Sequence, residues 1–158
     1  MQQAPPSTDD YHSMAVRQLQ AKSPEVDVYA IDVIWVPEFA AAGWVKDLTD
    51  KLSPMKGDYL EGPMNAVTYQ GKMYAAPYRT DTGVLYYRSD LVSAPPKTWT
   101  DLENDAKAGM AKGVANGFVW QGKQYKGLIC DFLEFVWSNG GDVLDADGKV
   151  VVNQPQAV

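Results

Sequence analysis

Apolar positions along the chain alternate between a helical period and a two-residue period. Ser7-Thr8-Asp9-Asp10 has the marks of a helix N-terminus: Ser7 or Thr8 caps, and the two aspartates suit the positive end of the helix dipole. Met14, Val16 and Leu19 give an approximate apolar stripe to about Lys22, and Ser23-Pro24 ends that helix. Residues 26–31 predict a strand with a mostly apolar tail, as in a sheet covered on both faces, and Asp32-Val33-Ile34-Trp35 follows at its C-terminal end. Residues 37–42 predict a short helix closed by Gly43, residues 47–52 a turn or short helix, and residues 58–66 a helix weakened by Gly62-Pro63. Residues 67–75 predict a tight hairpin turning at Gln70-Gly71-Lys72, followed by a polar loop over 77–83 and a strand over 84–88. Thr98 or Thr100 caps a helix to about Lys112, residues 117–121 form a short strand, and residues 124–138 give the strongest helix. That helix carries Leu128, Phe132, Phe135 and Val136 along one side and stops at Asn139-Gly140-Gly141. Asp145-Ala146-Asp147-Gly148 turns a last hairpin, and residues 154–158, with Pro155, read as a helix just begun. Alternating helices and strands point to α/β layers with some antiparallel pairing.

Composition narrows the function. At 158 residues and 46% hydrophobic, the chain can form one ordinary domain with a packed core. A net charge of −6 argues against nucleic acid, which requires a clustered basic face. No apolar run approaches the roughly 20 residues of a membrane span. Cys130 is the single cysteine, so no internal disulfide forms; within an apolar helix and with no activating base, it reads as a buried, inert thiol. His12 is the single histidine and reads as a surface residue, which excludes a multi-histidine metal site. No phosphate-binding glycine loop is present, and the Asp145–Gly148 turn lacks the spacing of a calcium loop. No metal and no cofactor are expected. Met1-Gln2-Gln3-Ala4 shows no secretory leader; the literal reading is cytosolic, and the rival is a leader lying outside this chain.

Five Trp and nine Tyr are the compositional excess. Sugars present apolar C–H faces and a rim of hydroxyls, and proteins bind them with aromatic rings on the face and carboxylates, amides or Arg on the rim. Asp32 with Trp35 offers that pairing just past a buried strand, where open α/β sheets place ligands. Tyr78, Arg79, Thr80 and Asp81 offer it again in a loop. Structural readings stand beside these: Trp35 as core, Asp32 as a cap for the helix at Pro37, Tyr86 and Tyr87 as strand packing, Trp44, Trp99 and Trp137 as structural, and Trp120 as either.

The runs around Ser7–Asp10, Asp27–Trp35 with Glu38–Trp44, Pro77–Arg88, Gly117–Gly122 and Trp137–Gly141 resemble the extracellular solute-binding proteins of sugar ABC importers, most nearly a trehalose/maltose-binding branch. The resemblance implies a periplasmic-binding-protein-like α/β fold, present as a partial first lobe over 1–112 (lacking its first strand and helix) and the start of the second lobe over 113–158. It implies no catalysis. A mono- or disaccharide of trehalose/maltose type would be held by Asp32, Trp35, Tyr78, Asp81, Gln121 and Tyr125 and handed to ABC permease subunits. The location would be extracytoplasmic, periplasmic or lipid-anchored to the outer face of the membrane. Lys126 stands where the family pattern has Glu, which puts a sugar contact there in doubt. As a partial copy, the chain is expected to bind sugar weakly alone and to form homo-oligomers through unpaired strand edges. The alternatives are a standalone scaffold or oligomerising protein derived from that fold, and a glycoside-acting enzyme using Asp32 and Asp81, which would need the two acids roughly 5–10 Å apart.

Overall fold

The computed structural model describes residues 5–158. The chain divides into two compact units, the first ending at Asp81 and the second running Thr82–Val158. This division is one of compactness.

In the first unit, α1 (Thr8–Gln20) is capped by Ser7, whose Oγ accepts the Asp10 N–H. Ala15 points inward together with Tyr11 and Leu19, one helical turn to either side. A one-turn 3-10 helix (Val33–Trp35) leads directly into α2 (Val36–Ala41), and Trp35 and Phe39 bury against Ala15. Tyr29, Ile31, Trp44 and Val45 close this core. A second small core gathers Leu52 from α3 (Thr49–Leu52), Met64 from α4 (Glu61–Ala66) and Met73 from the hairpin. A second 3-10 segment, Ser53–Asp58, joins α3 to α4. The hairpin pairs β1 (Thr68–Tyr69) with β2 (Lys72–Met73), Thr68 opposite Met73 and Tyr69 opposite Lys72. Gln70 and Gly71 turn it with φ of 49° and 77°, the left-handed pair that matches strand twist in two-residue hairpins.

In the second unit, α5 (Trp99–Ala111) starts in a capping box: Thr98 accepts from Asp101 N–H while Asp101 accepts from Thr98 N–H. α6 (Lys126–Ser138) carries Phe135, which Trp99 stacks on at 4.7 Å and Phe118 and Trp120 meet edge-on at 6.4 and 5.6 Å. After α6, Leu144 bridges Val150 across the Asp145–Gly148 turn. Residues 154–158 form successive turns, not the helix expected there.

Three expected strands, 26–31, 84–88 and 117–121, have no ladder partner among the described residues, where the only sheet is the hairpin. A strand is defined by the neighbour that takes its N–H and C=O groups, so apolar alternation alone leaves these segments as extended chain. Tyr86 accordingly stands 89% exposed and is not packed as a strand residue. Two side chains also depart from expectation. Cys130 is exposed: it sits two residues, about 200° of helical rotation, from Leu128, on the face of α6 away from Phe132 and Phe135. His12 is half-buried, stacked on Phe39 and tilted against Trp35, because its helix turns that side toward the core.

Candidate functional site

Asp32 lies at the head of the 3-10 turn. Its Oδ1 accepts the Ile34 N–H at 3.4 Å and its backbone carbonyl accepts the Trp35 N–H at 3.0 Å. The capping reading of Asp32 is thus realised, though on the 3-10 turn and not on Pro37. Asp32 itself is half-buried, and Val33 and Ile34 face outward. Trp35 closes the turn and points the other way: it is only 6% exposed and packed between Tyr11, His12 and Phe39. The turn therefore offers a carboxylate and two aliphatic side chains outward, with the indole bracing it from behind. Trp35 holds the core position weighed for it, and this makes an aromatic wall for a ligand a poor use of its ring.

Tyr78 and Asp81 sit in the loop that ends the first unit. Tyr78 is 91% exposed, and Arg79, Thr80 and Asp81 are exposed beside it. These four side chains make no hydrogen bond or ion pair among the described residues, so their full polar capacity faces outward. The structure brings Asp32 and Trp35 together in one turn, and Tyr78 and Asp81 together in one loop of the same unit.

Gln121 and Tyr125, in the second unit, are tied down. The Tyr125 hydroxyl donates to Gln121 Oε1, and the Gln121 N–H donates to Asp131 Oδ2 at 2.8 Å. Both side chains lie against the α-carbon of Gly127 in the first turn of α6, closer than any β-carbon would permit. The segment is a clasp over the helix start. The roles of Asp131 and Gly127 in it were not legible beforehand, since the partners lie about one to three helical turns away across a loop.

Two surface clefts, of about 420 Å³ beside Gly140–Asp142 and about 570 Å³ between α1 and Trp44, contain none of the six expected site residues. Among the described residues no group of three or more His, Cys, Asp or Glu could hold a metal ion, and no helix is long and apolar enough to cross a membrane.

The family model of bacterial extracellular solute-binding proteins matches residues 3–158. A probable ABC transporter-binding protein of Deinococcus radiodurans is 40% identical over 171 residues, covering 99% of this chain and 40% of that protein. The maltotriose-binding protein of Pyrococcus abyssi is 31% identical over 90 residues, 52% of this chain and 18% of its own length. Among solved structures, the maltose-bound MalE3 of T. maritima superposes with a TM-score of 0.84 at 44% identity, over 97% of this chain and 40% of that one. The solute-binding protein of Agrobacterium radiobacter K84 in complex with ribitol gives 0.75 at 26% identity, over 92% of this chain and 39% of that one. The chain thus has the expected periplasmic-binding-protein-like α/β fold, and it spans about 40% of the length of the Deinococcus protein and of the two solved structures.

Proposed function

Because the chain belongs to the bacterial extracellular solute-binding proteins, we propose that it is part of a non-catalytic carbohydrate-capturing protein that serves an ABC importer outside the cytoplasm. The observation that carries this reading is the close likeness, over 97% of the chain, to a protein solved with maltose bound. The ligand is a mono- or disaccharide, of maltose or trehalose type. Asp32 takes sugar hydroxyls on its carboxylate, and the exposed Tyr78 and Asp81 supply a ring and a second carboxylate, the pairing that suits a sugar's face and rim. Trp35 serves by bracing the Asp32 turn. Gln121 and Tyr125 contribute from the segment that leads from the first lobe (1–112) into the second (113–158), with the Tyr125 ring as the available surface. ABC permease subunits are the partners that receive the sugar.

The test is a chemical-shift titration of the isolated chain with maltose, trehalose and glucose. Weak binding is expected, with shifts confined to the backbone around 32–34 and 78–81. No perturbation at millimolar sugar would sink the carbohydrate reading. A sub-micromolar dissociation constant would instead overturn the expectation that this part of the protein binds weakly by itself.

A second reading, a scaffold or oligomerising protein that kept the fold and lost the ligand, draws on one observation: Gln121 and Tyr125 satisfy each other. It expects no sugar response and a mass above that of the monomer by light scattering. Release of reducing sugar from an aryl glycoside would favour instead an enzyme using Asp32 and Asp81.

A further inference from the structure

His12 of α1 reaches across to the segment that carries Asp32. Its Nε2 lies 2.8 Å from Glu38 Oε2 on α2, and its ring sits 5.0 Å from the Trp35 ring and 5.9 Å, nearly parallel, from Phe39. Trp35 is the last residue of the 3-10 turn, and its N–H is bonded at 3.0 Å to the Asp32 carbonyl that opens that turn. One imidazole thus touches both the end of the Asp32 turn and the helix that follows it. Tyr11, its neighbour on α1, holds the same indole edge-on at 5.7 Å.

We propose that His12 is a positioning residue: through Trp35 and Glu38 it clasps the Asp32 turn onto α1. The contacts that make the clasp are the Glu38 carboxylate at Nε2 and the Trp35 and Phe39 rings beside the imidazole. Imidazole is the side chain that ordinarily changes charge between about pH 5 and 8, and this chain has one. The groups presented to it from the packed elements are Glu38 from α2 and the uncharged rings of Trp35 and Phe39. Asp32 is the other titratable side chain at that turn, and Asp9, Asp10, Tyr11 and Arg17 share its own helix. The clasp itself stands on geometry alone; its consequence for sugar rests on the reading of Asp32 above.

Nuclear magnetic resonance of the full 158-residue chain from about pH 5 to 8 tests it. The His12 ring protons, the Trp35 indole N–H and the Ile34 amide should move together with one midpoint. In His12→Gln, which keeps a donor for Glu38 but cannot titrate, the Trp35 and Ile34 signals should stay flat. In Glu38→Gln, which leaves the rings in place, the Ile34 response should shrink. Signals that are flat in the native chain, or that move equally in His12→Gln, overturn the clasp. Maltose should bind about two- to five-fold more weakly to His12→Gln, which loses the ring contacts with Trp35 and Phe39, than to the native chain. Constant maltose affinity alongside titrating amides would overturn the positioning role toward ligand. Absence of any maltose response would sink the sugar reading and leave the clasp to be judged on the amides.

Discussion

Asp47 shows how one exposed carboxylate can organise a neighbourhood. Its Oδ1 accepts from both the hydroxyl and the N–H of Thr49 at 2.5 and 2.9 Å, and its Oδ2 meets Lys72 Nζ at 3.1 Å. The Thr49 hydroxyl in turn accepts the Met73 N–H at 3.0 Å, which fastens the hairpin to the start of α3. The Thr49 bonds first, and Lys72 after them, lower the Asp47 carboxyl to about 2. The folded state therefore favours the anion. Its contribution is present above the ordinary carboxyl range near pH 4 and is lost as pH falls from there toward about 2. Melting temperature followed down this window should drop in the native chain and drop less in Asp47→Asn, which starts lower at neutral pH; parallel curves would contradict the assignment. Gly127 makes a second prediction at this scale. A methyl there meets Gln121 Oε1 and the Tyr125 ring, so Gly127→Ala should destabilise the second unit by about 1–3 kcal/mol, read from denaturant unfolding. A neutral result would mean that the Gln121–Tyr125 clasp moves aside freely.

Four helices end in the same way. After α1, α2, α5 and α6 a left-handed residue donates back to the carbonyl three positions earlier, and the next residue donates to the one five positions before it, as with Gly43 to Ala40 and Trp44 to Phe39. Gly43, Gly113 and Gly140 take that position in three of them; Lys22, at φ 50°, takes it after α1. A β-carbon is crowded in that conformation, so Lys22→Gly should raise stability by about 0.5–1 kcal/mol, seen as a higher denaturant midpoint at unchanged slope. A decrease would show that the Lys22 side chain has packing worth more than the strain. These helix boundaries were readable because their signals are local: Ser7, Thr98, Gly43 and Gly140 act on atoms within five residues of themselves. The hairpin was readable for the same reason, through Gln70-Gly71. The strands at 26–31, 84–88 and 117–121 were not, because an extended segment becomes a strand only through a partner distant in sequence. For the candidate site, the local groupings were legible, Asp32 with Trp35 and Tyr78 with Asp81. The inward direction of the Trp35 ring was one of two readings, and contacts with Tyr11 and His12, more than twenty residues earlier, decide it.

At the scale of the whole chain, the notable surface is apolar and extended. Val84, Leu85, Tyr86 and Tyr87 are 62%, 46%, 89% and 44% exposed in a segment with no ladder partner among the described residues. A row of unsatisfied backbone groups bearing large apolar side chains is a template for another strand. In relatives of which this chain spans about 40%, far more polypeptide is available to cover such a segment. The isolated chain has water or another copy of itself. Edge pairing between copies would satisfy the backbone and remove these side chains from water together, whereas solvation accomplishes only the first. The apparent mass of the chain should therefore rise above 17.4 kDa with concentration in sedimentation equilibrium. Replacing Leu85 and Tyr86 together by Lys should return it to the monomer, since charges on an edge oppose pairing, while the helical circular dichroism from α1, α5 and α6 stays the same. A monomeric mass at every concentration would show that the segment is content in solvent. Self-association unchanged by the two lysines would place the contact elsewhere, with the exposed Val28, Val33 and Ile34 of the first unit next to be substituted.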